Sequence, residues 1–180
     1  MLAAQLLAAA ALALGAPCAL RAQPAPGVGQ FVPSAQAAGS ARLRFWGLEV
    51  YDASLWVAPG FRPADFSSHR FALELRYLRG FSGADIAQRS LDEMRRVGGF
   101  SAAQAAQWQS ALARLLPNVA AGDSITGINR PGSGVLFLSN GRPLGEIGDA
   151  HFARLFFGIW LAPSTSEPAL RTALLAGSQR

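Results

Sequence analysis

The chain contains no lysine, a single cysteine and two histidines in 180 residues. All 16 basic residues are arginine, a bias that a GC-rich genome produces. The one cysteine, Cys18, lies in an apolar N-terminal stretch. A chain cut after that stretch keeps no cysteine, which excludes disulfides, thiol catalysis and cysteine metal sites. His69 and His151 are far apart and have no ligand-spaced partner, so no metal site is expected. No Gly-x-Ser-x-Gly elbow, P-loop or dinucleotide fingerprint occurs, and no cofactor is expected. No run of basic residues exceeds two, at Arg95-Arg96, which argues against a nucleic-acid surface. The formal charge of +5 fits a mild attraction to acidic ligands instead.

Residues 1–22 stand apart in composition. Leu2 to Leu14 is almost entirely Ala and Leu without a charge, and Pro17 and Ala22 follow. This reads as a secretory signal peptide cleaved near Ala22, and it implies a periplasmic or secreted protein. Pro17 before Cys18 is the wrong residue for a lipoprotein signal. Residues 23–38, rich in Ala, Pro, Gly and Gln, read as a linker or a frayed first strand. Residues 39–180 form one domain, large enough to rest on its core alone.

Within that domain, Arg42–Trp46 and Glu49–Val57 read as a hairpin around Gly47. Residues 70–78 alternate, with Phe71, Leu73, Leu75 and Tyr77 on one face. Ser82 with Asp85, and Ser101 with Gln104, open two helices that stop at Gly98-Gly99 and Pro117. Strands are expected at 124–130, 135–139 and 144–147, joined by Pro131–Gly134 and by Asn140-Gly141, a strong hairpin signal. Asp149 caps an apolar segment, Phe152–Leu161, too short to span a bilayer and apolar on nearly every side. Only its Arg154 needs water or a partner, and no stable membrane span is expected once the leader is removed. Ser164 or Ser166 is expected to cap a last helix with Pro168 early in it. Strands, two helices, strands and two helices in that order argue for an α+β fold with an antiparallel sheet.

The first hairpin carries the candidate chemistry. Arg42, Arg44 and Trp46 share one side of their strand. With Gly47-Leu48 as the turn, Arg44 faces Tyr51 and Arg42 faces Ala53, on the side continued by Leu55 and Val57. An arginine aimed into an apolar cavity calls for an anion. A one-residue slip of register turns both arginines to solvent.

Gly39–Arg44, Val50–Leu55, Leu73–Tyr77, the Gly98–Ser101 junction and Gly158–Leu161 running on to Leu170-Arg171 resemble, in order, the bacterial chalcone isomerase-like domains. The resemblance spans about residues 39–176. It implies an open-faced β-sandwich, a large antiparallel sheet backed by helices with a ligand cleft between. In the plant enzymes an arginine and hydroxyl side chains assist a ring closure, which needs a fixed cation and donors for the developing enolate. Arg42 or Arg44 matches the arginine. The family's hydroxyl positions fall at Asp52, Phe100 and near Phe157, and none of these supplies the expected hydroxyl. The family also includes non-catalytic members that resemble fatty-acid-binding proteins, in which an arginine and a tyrosine hold a carboxylate. By that resemblance Arg44 with Tyr51 holds a small apolar or aromatic acid, and Phe100, Phe157 and Trp160 line the cavity. The expected function is non-catalytic binding of an apolar anion such as a fatty acid. The alternatives are an isomerase of the intramolecular-lyase type acting on a chalcone-like enone, and a structural domain without ligand.

Overall fold

A computed structural model describes residues 27–178 of the chain. The expected leader and its expected cleavage point near Ala22 lie outside these residues. One antiparallel sheet runs β1 (Gln36–Phe45), β2 (Leu48–Val57), β3 (Phe71–Tyr77), β4 (Ser124–Arg130), β5 (Gly134–Ser139) and β6 (Arg142–Ile147), each strand pairing with its neighbour in sequence. Helices α2 (Gly83–Val97), α3 (Ala102–Leu115), α4 (Ala150–Leu161) and α5 (Pro168–Leu174) back one face. This is an α+β, open-faced arrangement. The segment expected as linker or frayed strand divides in two. Residues 28–31 form a helical turn, α1 (Val28–Phe31), which buries Val28 on the opposite face of the sheet; residues from Gln36 onward belong to β1.

The strand faces follow the period of two. Phe71, Leu73, Leu75 and Tyr77 all turn toward the helices. Trp56, Ala72, Ile128 and Leu138 turn the other way, under α1. The helix starts are fixed by side chains. Ser82 accepts from the Asp85 N–H, and Ser101 and Gln104 close a full capping box. Asp149 works twice: Oδ1 accepts from the His151 and Phe152 N–H groups, and Oδ2 accepts from Trp108 Nε1 at 3.0 Å. One carboxylate therefore starts α4 and ties it to α3. Helix α4 buries every residue from Leu155 to Leu161, while Arg154 reaches solvent. The last cap differs from expectation. Glu167, not Ser164 or Ser166, stands at the N-cap of α5, and its N–H is taken by the Thr165 hydroxyl.

Two turns explain the register. Asn140 and Gly141 adopt φ of 48° and 78°, the two left-handed positions of a type I′ hairpin. Trp46 and Gly47 do the same at 51° and 78°, so the first turn is Trp46-Gly47 and not Gly47-Leu48. Arg44 pairs with Glu49, Leu43 with Tyr51 and Arg42 with Asp52, and the irregularity between Arg44 and Leu43 leaves Val50 as the extra residue. The expected partners of Arg42 and Arg44, Ala53 and Tyr51, are thus each displaced by the turn and the bulge.

On the face away from the helices, Glu74 lies between Ser54 and Thr126 and is 7% exposed. Its Oε1 has no hydrogen-bond partner, and Arg76 approaches only to 3.8 Å. Burial raises its pKa above the usual carboxylate value. A carboxyl whose pKa is raised by folding weakens the fold as pH climbs from the unfolded to the folded pKa. Glu74→Gln is therefore expected to stabilise the protein by roughly 1 kcal/mol at neutral pH and to give no gain below the carboxylate range, as read by urea titrations at the two pH values.

Candidate functional site

A cleft of about 350 Å³ opens between the helix face of the sheet and helices α2 and α4. That volume is within the range of small-ligand sites. Leu43, Val50, Leu75, Ile125 and Phe137 form its sheet wall; Ile86, Phe156, Ile159 and Trp160 form its helix wall; Phe45 and Leu48 stand at its mouth. Most of the lining is apolar, and the polar groups are few.

Tyr51 and Tyr77 project from neighbouring strands, paired in register, with ring centroids 6.0 Å apart in an edge arrangement. Trp160 Nε1 donates to the Tyr51 hydroxyl oxygen at 2.9 Å. The hydroxyl hydrogen of Tyr51 stays available to a third partner. Burial is the main cause that pushes both tyrosine pKa values above their ordinary 10. Both phenols therefore remain neutral donors.

Helix α2 adds Arg89 and Glu93, one turn apart and paired at 2.8 Å. Glu93 is buried and also accepts from the Ser166 hydroxyl at 2.8 Å. Arg79, just after β3, lines the mouth and forms no ion pair among the described residues. No group of three His, Cys, Asp or Glu sits close enough to hold a metal among the described residues. His69 instead meets Asp65 at 3.2 Å, and His151 meets Gln104 at 3.3 Å.

The residues expected at the site part into three places. Tyr51 and Trp160 line the cleft and touch each other. Arg42, Arg44 and Asp52 do not line it. The Arg42 guanidinium holds Asp52 through two hydrogen bonds of 2.7 and 2.9 Å and Glu49 through one of 2.9 Å, and Arg44 holds Glu49 at 2.8 Å. Asp52 is held below its ordinary pKa chiefly by the hydrogen bond from Arg42. These groups form a surface network, with Arg42 and Asp52 beside Ser54, Glu74 and Arg76 on the opposite face. Phe100 and Phe157 are packing residues. Phe100 lies 5.0 Å from the Trp108 ring with Arg95 over it, and Phe157, fully buried, meets Phe71 edge-on at 4.6 Å. Sequence reading missed Tyr77, Arg79, Arg89 and Glu93. The inward face of β3 held the signal for Tyr77, and the polar breaks in the apolar stripe of α2 held it for Arg89 and Glu93.

The arrangement can shelter an apolar body and offer neutral phenol donors and arginines to its polar end. The family model described as chalcone isomerase-like matches residues 36–176. No curated protein matches the sequence significantly. Among solved structures, the chain is similar to a fatty-acid binding protein of Arabidopsis thaliana, with a TM-score of 0.65 and 11% identity over 86% of this chain and 91% of that one. At that identity the likeness concerns the fold.

Proposed function

Because the chain belongs to the chalcone isomerase-like family, we propose that it is a non-catalytic binding protein whose cleft holds an apolar acid of the fatty-acid kind. The observation that carries the reading is the mostly apolar cleft between sheet and helices, polar at Tyr51, Tyr77, Ser90, Ser166 and a few charged side chains. The similarity to a plant fatty-acid binding protein supports it. In this reading the hydrocarbon lies against Leu75, Ile125, Phe137 and Phe156, and the acid group meets the tyrosine donors or Arg79. Ring closure of an enone, by contrast, needs a fixed cation beside the reacting oxygen. Arg42 and Arg44, matched to that part by resemblance, are engaged elsewhere by Glu49 and Asp52. The composition of residues 1–22 supports action in the periplasm or outside the cell.

The test has two arms. Organic extracts of the purified protein are analysed by mass spectrometry, and a fluorescently tagged long-chain fatty acid is titrated beside its methyl ester. The expected results are a retained acyl compound and an acid bound more tightly than the ester. Ile86→Trp, which intrudes into the cleft from α2, should abolish probe binding with the fold intact by circular dichroism. Arg79→Gln should narrow the gap between acid and ester by about fivefold, the equivalent of about 1 kcal/mol. An empty wild-type protein that ignores both probes sinks the reading.

A further inference from the structure

The large apolar side chains that the described residues leave in solvent sit together around one turn: Phe45 at 51%, Trp46 at 90% and Leu48 at 54% exposed. The other tryptophans, Trp56, Trp108 and Trp160, are 4%, 1% and 5% exposed. Trp46 stands out a second way. Its φ of 51° puts a bulky side chain in a left-handed turn position that Asn, Asp or Gly ordinarily fills. The β5–β6 hairpin uses Asn140-Gly141 at the equivalent place. The first hairpin thus carries backbone strain and an exposed indole together, the combination expected where a side chain serves something outside the fold.

Three arginines reach solvent beside the tip. Arg89 lies 5.7 Å over the Phe45 ring, and its side chain is 63% exposed while its partner Glu93 is 8% exposed. Arg44 is 62% exposed against 41% for Glu49. Arg79 is exposed at the mouth without an ion pair among the described residues. Arg44, Arg79 and Arg89 therefore stand toward solvent, while Glu93 is buried and Arg42, Glu49 and Asp52 are exposed to a similar degree. Phe45 and Leu48 also line the cleft, so the apolar tip and the apolar cleft are continuous.

We infer that the Phe45–Leu48 tip docks on an anionic lipid bilayer and seats the mouth of the cleft at the membrane interface. An indole at the membrane interface, with apolar side chains next to it and guanidinium beside lipid phosphate, is the combination such a surface selects. A second copy of the chain presents the same exposed Arg44, Arg79 and Arg89 to itself, which disfavours it as the occupant. The inference concerns the tip and stands whether or not the cleft holds an acid.

The full chain is tested with vesicles of phosphatidylcholine alone and mixed with phosphatidylglycerol, some carrying brominated acyl chains. The readout is quenching of tryptophan emission, which reports Trp46 because the other three are buried. Quenching is expected with the anionic vesicles and little with the neutral ones. Trp46→Asn, whose melting temperature should hold or rise, and Leu48→Ser, which keeps the indole reporter, should each weaken binding about tenfold. Sedimentation with the vesicles checks Trp46→Asn, which has lost the reporter. Ile86→Trp should bind vesicles normally, which separates this inference from the ligand reading. Absence of quenching, or equal sedimentation of Trp46→Asn and wild type, overturns it. So does a lipid-free dimer in light scattering that Trp46→Asn dissolves.

Discussion

Phe157→Ala is expected to remove about 3–5 kcal/mol of unfolding free energy and to leave the cleft's ligand affinity within about twofold. The ring is fully buried at the centre of an aromatic cluster. Phe71 meets it edge-on at 4.6 Å and Phe156 at 5.3 Å. The sheet leaves room for it: a side chain at Gly127 of β4 would come within 3.1 Å of the Phe157 ring. Removing the ring therefore opens a void between α4 and the sheet that neither partner can close, because both are held by other contacts. A domain of this kind has about 5–15 kcal/mol in total, so the variant stands near its threshold. A urea titration reads the loss as a lower midpoint at unchanged slope, and Phe157→Leu should recover about half of it. The cleft-lining role expected from sequence makes the opposite forecast, a mild loss of stability and a large loss of ligand. The two measurements together separate packing from binding at this position.

The contrast between Phe157 and its neighbours shows where sequence reading stops. The helix itself is legible: an Asp cap, an apolar run and one charged residue, Arg154, that reaches solvent. Which of its aromatic residues face a cleft is set by a rotation of about 100° per residue and by the element opposite. Phe156 and Trp160 meet the cleft and Phe157 meets Phe71. The strands and two capped helix starts follow from alternation and local chemistry in the same way. The register of the first hairpin does not. It depends on a tryptophan in a left-handed position and on a bulge at Val50, both disfavoured locally and sustained by the tertiary structure. That slip moves Arg42 and Arg44 to the surface and puts Leu43 beside Tyr51. The cationic groups of the cleft come from α2 and the segment after β3, which the fold alone brings to the mouth.

Tyr51→Phe is expected to act on stability and on binding through one oxygen atom. Trp160 Nε1 donates to that oxygen at 2.9 Å, and the indole is 5% exposed. The substitution leaves a buried N–H without an acceptor, a loss of about 1–3 kcal/mol. On the proposed reading it also deletes a neutral donor for the ligand's polar end, and affinity for the acid probe is expected to fall about tenfold. Trp160→Phe removes the other half of the pair but leaves the phenol free to donate. Its stability loss should be accompanied by a smaller change in affinity. The double variant has no orphaned N–H, so its stability loss should fall short of the sum of the single losses by about 1 kcal/mol. Burial holds the Tyr51 hydroxyl above its ordinary pKa of 10, so its donor function should not titrate between pH 6 and 9. Any fall in affinity over that interval must then come from another group, and a fall that persists in Tyr51→Phe shows this directly. Additive stability losses in the cycle would mean that the phenol and the indole are held independently, and that the ligand, not Trp160, orients the hydroxyl.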